Sequence, residues 1–169
     1  MENQSFRGAV FAGSFDPFTL GHLDVVQKAS LLFDKVIVLV AENTAKRALF
    51  STEVRVRLIK KSVESFSNVE VDTYSGLTVD YLKQKHFRYL VRGIRSGGDL
   101  EWERSIAWNN QQLYPECETV FFPSDVQYLA VSSSVVRELL KYGGGIASLI
   151  PASIQEMLMK EWSFIKCSD

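Results

Sequence analysis

The chain is 169 residues long, 46% apolar and 23% charged, with a formal net charge of −1; that suits a single domain over residues 1–169 and argues against disorder. Charge this close to neutral supplies no field for nucleic acid, and no apolar run approaches the roughly 20 residues that span a bilayer, so neither is an expected partner. The stretch MENQSFRG lacks the basic-then-apolar profile of a signal peptide, and Cys117 and Cys167 show neither metal-ligand nor CxxC spacing, which together fit the reducing cytoplasm.

In chain order, short apolar runs alternate with longer amphipathic ones. Residues 7–12 (RGAVFA) read as a buried strand. Residues 21–33 place Leu23, Val26, Ala29 and Phe33 at helical spacing. Residues 35–41 (KVIVLVA) form the clearest buried strand. A helix follows over 52–66, with Ser51 as its N-cap and Glu53 in the first turn. Then come a strand at 69–73, a helix at 79–86, a strand at 89–91, a helix at 99–113 and a strand at 119–122. Two helices close the series, 133–141 and 152–162, separated by glycines 143–145 and Pro151. Such alternation implies βαβ units, hence an α/β, doubly wound, Rossmann-like domain with a five-stranded parallel sheet. Ligands of these sheets sit beyond the carboxyl ends of the strands. The polar residues gather there, at 14–22, 43–47, 74–78, 92–95 and 123–134, so five loops are expected to converge on one face.

The first loop reads AGSFDPFTLGH, residues 12–22. Gly13 permits close approach of a ligand or a tight turn. Gly21 and His22 open a helix, whose free N–H groups and dipole attract anions. His22 there either satisfies a loop carbonyl or donates to a phosphate oxygen. The spacing fits neither the dinucleotide-binding fingerprint nor a P-loop. Arg92 and Arg95 flank Gly93 and Ile94; they either offer guanidinium forks to phosphates or form ordinary ion pairs. Lys46 is a solvated loop lysine or a phosphate ligand. One of Ser132, Ser133 and Ser134 caps the next helix, and that helix terminus also makes a phosphate cradle. Glu103, one helical turn after Asp99, reads most simply as an exposed carboxylate, and His86 as the polar end of a helix. No Cys–His pair, serine–histidine–acid trio or histidine cluster is present. The inventory suits binding a polyanion and stabilising charge as it develops, as in nucleotidyl transfer.

GSFDPFTLGH resembles the signature of the nucleotidyltransferase superfamily, in which a (T/H)xGH motif opens the first helix. TAKR, SGLTVDY, LVRGIRSGGDLEWE and VSSSVVR, in order over nearly the whole chain, resemble the phosphopantetheine adenylyltransferases. The resemblance implies transfer of AMP from ATP to 4'-phosphopantetheine, giving dephospho-coenzyme A and pyrophosphate. It implies Mg2+ held mainly by substrate phosphates, with no protein metal site. Ser14 and Phe15 are the implied contacts to both substrates, and His22 the implied ATP contact and transition-state stabiliser, with Lys46 also catalytic. Lys46, Thr78 and Arg92 are implied phosphopantetheine ligands. Gly93, Ile94, Arg95 and Glu103 are implied ATP ligands, together with Tyr128, Leu129, Ala130, Val131, Ser132, Ser133 and Ser134. Ser14 stands where many members have threonine, and Tyr128 where some have tryptophan. A homohexamer, with coenzyme A as a feedback ligand, is implied as well.

Other readings are a relative acting on another phosphorylated acceptor and a nucleotide-binding regulator without chemistry. VRGIR and VSSSVVR argue against the first, and His22 against the second. An aminoacyl-tRNA-synthetase fragment shares the superfamily motif, but a short, near-neutral chain leaves little room for tRNA.

Overall fold

The computed structural model describes residues 6–42 and 48–167. Its five strands are β1 (Gly8–Gly13), β2 (Lys35–Ala41), β3 (Val69–Tyr74), β4 (Tyr89–Ile94) and β5 (Glu118–Pro123). Six helices alternate with or follow them: α1 (Leu20–Leu32), α2 (Thr52–Val63), α3 (Thr78–Lys85), α4 (Gly97–Leu113), α5 (Ser133–Tyr142) and α6 (Gln155–Lys166). The strands make one parallel sheet in the order β3-β2-β1-β4-β5. The chain therefore winds outward from β1 to β3, then returns to β4 on the other side of β1. That reversal places a switch point between β1 and β4.

Successive strand residues face opposite sides of the sheet, and the apolar runs use both. Ala9, Phe11, Val36 and Val38 pack with Val25, Val26, Ala29 and Ile59 of α1 and α2. Val10, Ala12, Ile37 and Leu39 pack on the other face with Val79 and Leu82 of α3. Each fully buried aliphatic or aromatic side chain contributes roughly 1.5–3 kcal/mol relative to exposure. A third cluster joins α2, α5 and α6 through Phe50, Leu58, Val136, Leu140, Ile154 and Leu158. The segment after α5 meets the start of α1, where the Leu20 N–H donates to the Leu149 carbonyl at 2.9 Å.

Several boundaries differ from the sequence expectation. The strand read as 89–91 runs to Ile94, because β5 pairs with it through Ile94↔Pro123. Arg92, Gly93 and Ile94 are thus strand residues rather than loop residues. The helix expected over 52–66 stops at Val63, and Phe66 turns back so that its N–H reaches the Val63 carbonyl at 3.0 Å. The helix expected over 152–162 begins as a 3-10 turn, Ala152–Ile154, and α6 then continues to Lys166. His86 lies just past α3, capping it at a left-handed φ of 56°. Ser51 and Ser132 cap α2 and α5, accepting from the N–H groups of Val54 and Val135.

Candidate active site

The sheet splits at the switch point. β1 pairs with β4 only as far as Phe11↔Val91, whereas it stays beside β2 to Gly13↔Val40. A cavity of about 880 Å³ opens over this split. Every post-strand segment reaches it: Ser14 and His22 after β1, Glu42 and Ala48 after β2, Thr78 after β3, Arg95 after β4 and Ser124 after β5. α1 lies directly on the end of β4, since a Cβ on Gly93 would sit 2.8 Å from Val25 Cγ2.

The loop after β1 is shaped by one unusual backbone. Phe15 has φ 48°, in the left-handed region, at a cost of roughly 1–2 kcal/mol for an L-residue. That turn buries the Phe15 ring against Phe11 and Phe18, with centroids 5.1 and 5.6 Å away. Ser14 stays exposed in a run that is otherwise buried from Phe15 to Thr19. Alternate loop carbonyls are each met by an arginine from a different element. Arg92 Nη1 donates to the Ala12 carbonyl at 2.7 Å, Arg55 Nη1 to Ser14 at 2.7 Å, and Arg137 Nη1 to Asp16 at 2.6 Å. The buried Asp16 carboxylate accepts the N–H groups of Leu49 and Phe50 at 2.7 and 2.9 Å, and Arg137 lies 3.9 Å from it.

His22 serves both helix and cavity. Thr19 caps α1, and a capping box normally places Glu or Gln where His22 stands. His22 Nδ1 accepts the Thr19 N–H at 3.1 Å, while the Thr19 hydroxyl accepts the His22 N–H at 3.4 Å. Because a backbone N–H can only donate, Nδ1 is unprotonated and Nε2 carries the hydrogen. Nε2–H has no partner among the described residues, and the ring lines the cavity. Burial beside Phe15 and Phe18, followed by Arg95 and Arg92, pushes its pKa down to about 3. The ring is a neutral donor near pH 7.

The arginines of β4 are not equivalent. Arg92 donates through Nε to Glu103 Oε2 at 2.8 Å and through Nη2 to Oε1. With Nη1 on Ala12, at most two of its five N–H donors remain for a ligand. Of the two readings the sequence leaves open for Arg92, the ion pair is present, and the fork has few donors left for a phosphate. Glu103 is corrected: its side chain is only 12% exposed and backs Arg92 rather than facing solvent. Arg95 is more open and pairs with Asp99 at 3.2 Å. At α5, Ser133 donates to the Pro17 carbonyl at 2.8 Å, and Ser134 accepts from Arg137 at 3.1 Å.

Of the residues singled out from sequence, Ser14, Phe15, His22, Thr78, Arg92, Gly93, Arg95, Val131, Ser132, Ser133 and Ser134 line the cavity. Ile94, Glu103, Tyr128, Leu129 and Ala130 do not; Ile94 ends β4, and 128–130 lead into α5. Lys46 lies outside the described residues. Sequence reasoning gave no role to Asp16, Thr52, Arg55 or Arg137, all of which line the cavity. Arg55 had a legible signal, since it falls in register with Leu58, Ile59 and Ser62 on the buried face of α2.

A cytidylyltransferase-like family model matches residues 10–139, which places the chain in that class of nucleotidyltransferase. A crystal structure assigned as a nicotinate-nucleotide adenylyltransferase from Vibrio parahaemolyticus has the same fold, with a TM-score of 0.74, 19% identity, and coverage of 95% of this chain and 96% of that one. The chain belongs to the phosphopantetheine adenylyltransferase family. It is 47% identical to a protein of that name from Dictyoglomus turgidum, over 91% of this chain and 96% of the relative. It is 43% identical to one from Leptospira biflexa, over 92% and 97%, and 39% identical to one from Carboxydothermus hydrogenoformans, over 95% and 99%.

Proposed function

We propose that this chain moves AMP from ATP to the phosphate of 4'-phosphopantetheine, releasing pyrophosphate and forming dephospho-coenzyme A. The near-full-length likeness to phosphopantetheine adenylyltransferases carries this reading, because the cavity geometry alone suits transfer between any two phosphorylated partners.

In the reaction an acceptor phosphate oxygen attacks the α-phosphorus, and the bond to the bridging oxygen of pyrophosphate breaks. Nucleophile and leaving group are already anionic, so no general base is required. The task is to hold two anions in line and stabilise the five-coordinate phosphorus. Arg92 and Arg95, on the cavity wall, supply positive charge without a basic chain overall. His22, held through Nδ1, offers Nε2–H to an α-phosphate oxygen. Ser14, exposed on its pinned loop at the cavity lining, offers its hydroxyl to the substrates. Lys46 and Thr78 act on the acceptor with Arg92, and Glu103 reaches the site through Arg92. Phe15 acts by packing beside His22, Gly93 and 131–134 meet ATP at the cavity lining, and Ile94 and 128–130 act from behind that lining.

Among the described residues no group of three or more His, Cys, Asp or Glu could hold a metal. The described lining carries arginines and, as carboxylates, Asp16 and Glu42, so Mg2+ would be held mainly by the phosphate oxygens of the substrates, where it would supply charge neutralisation. A homohexamer fits α4, which buries no residue and exposes Trp102 and Trp108 by 70% and 62%. Coenzyme A shares the phosphopantetheine arm of the acceptor, which suits feedback at this cavity. Composition favours the cytoplasm, and among the described residues no helix is long and apolar enough to cross a membrane. We read residues 1–169 as one catalytic domain.

The test is incubation with ATP, Mg2+ and 4'-phosphopantetheine, with mass detection of dephospho-coenzyme A and a pyrophosphate assay. Nicotinate mononucleotide serves as rival acceptor. Product only with the rival, or with neither, overturns the reading.

A further inference from the structure

Arg55 is a cation at the edge of the cavity that the reaction scheme leaves unused. It is only 5% exposed, yet no carboxylate lies within ion-pair distance of it among the described residues. A buried guanidinium without a carboxylate is costly unless dipoles surround it. Here three oxygens do so. Nε donates to the Phe50 carbonyl at 3.1 Å, Nη1 to the Ser14 carbonyl at 2.7 Å, and Nη2 to the Thr52 hydroxyl at 2.9 Å. The planar fork thus ties the start of α2 to the residue just before the left-handed turn at Phe15. Ser14 is the exposed residue of that loop, and its own backbone is what Arg55 grips.

We propose that Arg55 is a positioning residue for Ser14: it fixes the loop so that the Ser14 hydroxyl stands at one place in the cavity. The inference rests on the adenylyl-transfer reading, in which Ser14 touches the substrates. Lysine cannot take the place of the fork, because an ammonium cannot meet Phe50, Ser14 and Thr52 in one plane.

The test is a double-mutant cycle between Arg55→Lys and Ser14→Ala, read as kcat and KM for each substrate. Each single variant is expected to lower kcat about 10-fold. The double variant is expected to be no worse than the poorer single, since a misplaced hydroxyl and a missing one are equivalent. Losses that multiply, or parental turnover in Arg55→Lys, overturn the proposal. A purely structural role lowers the melting temperature without coupling to Ser14. Should Arg55→Lys fail to fold, Thr52→Val removes one anchor of the same fork, and the same cycle with Ser14→Ala decides. If the parent makes no dephospho-coenzyme A, the functional reading fails separately. Coupling is then read from ATP binding by calorimetry on the same proteins, and additive changes in Kd overturn the positioning role.

Discussion

The loop between β1 and α1 and the helix α4 sit at opposite extremes of constraint. In the loop, carbonyls 12, 14 and 16 are each held by an arginine, Asp16 accepts two backbone N–H groups, and Phe15 is locked in a left-handed turn. In α4 no residue is buried, and its two tryptophans lie open. Both segments border the site, since α4 carries Glu103 behind Arg92. The contrast separates two ways of making a surface specific. The loop is fixed by its own chain before any ligand arrives, so its geometry costs nothing to form during catalysis. α4 rests on β4 and β5 without burying a residue, and Trp102 and Trp108 stay open to solvent.

The largest effect expected from breaking this arrangement is at His22. His22→Ala removes the Nε2–H donor and should lower turnover by about 10²–10³-fold, or roughly 3–4 kcal/mol of barrier. It also removes half of the capping box, so a loss of about 1 kcal/mol in stability should accompany it. Steady-state kinetics and thermal melts on one preparation check both, and near-normal turnover would remove His22 from the mechanism.

Gly93→Ala probes the seat of α1 on β4. The new Cβ would stand 2.8 Å from Val25 Cγ2, between strand backbone and a buried side chain. Overpacking of this kind costs typically 1–3 kcal/mol, and it should displace the helix that carries His22. Denaturant unfolding should show a lower midpoint, and kcat should fall with it; an unchanged midpoint means that Val25 yields without strain.

A smaller effect is expected from pH. His22 is lowered from 6.5 to about 3 in the folded chain. Between these values the unfolded chain takes up a proton that the folded chain refuses, so stability falls as pH drops through that window. The parent should therefore lose more melting temperature between pH 7 and pH 4.5 than His22→Asn does. Parallel losses would mean that acid sensitivity arises from other groups. Activity should show no inflection from His22 between pH 6 and 8.

The smallest effect on the folded chain should come from α4. Trp102→Ala removes an exposed ring, so within one subunit its cost should stay near 0.5 kcal/mol or less. The mass in solution is the sensitive readout. If α4 is covered by another copy, light scattering should report smaller particles for the variant than for the parent; an unchanged mass excludes Trp102 from the contact.

Much of this was legible from residue order. The apolar runs mark the strands, Ser51 and one of Ser132 to Ser134 mark helix starts, and GSFDPFTLGH marks the site. Boundaries failed where a neighbour decided them. β4 extends to Ile94 only because β5 continues beside it, and nothing within VRGIR reports that. Glu103 read as a solvated carboxylate because helical position gives no clue to Arg92, which comes from a different element.

The division has a physical basis. Sequence by itself determined the alternation of strand and helix, the apolar spacing of α1, and the gathering of polar loops beyond the strand ends, because these follow from local periodicity and backbone preference. Only the tertiary structure decided which cations hold the loop, which one keeps donors for a ligand, and which nitrogen of His22 carries the proton. The bonds that fix the loop join residues 41, 80 and 121 positions apart. Such pairings depend on how the sheet closes and splits at its switch point, and no local pattern encodes that.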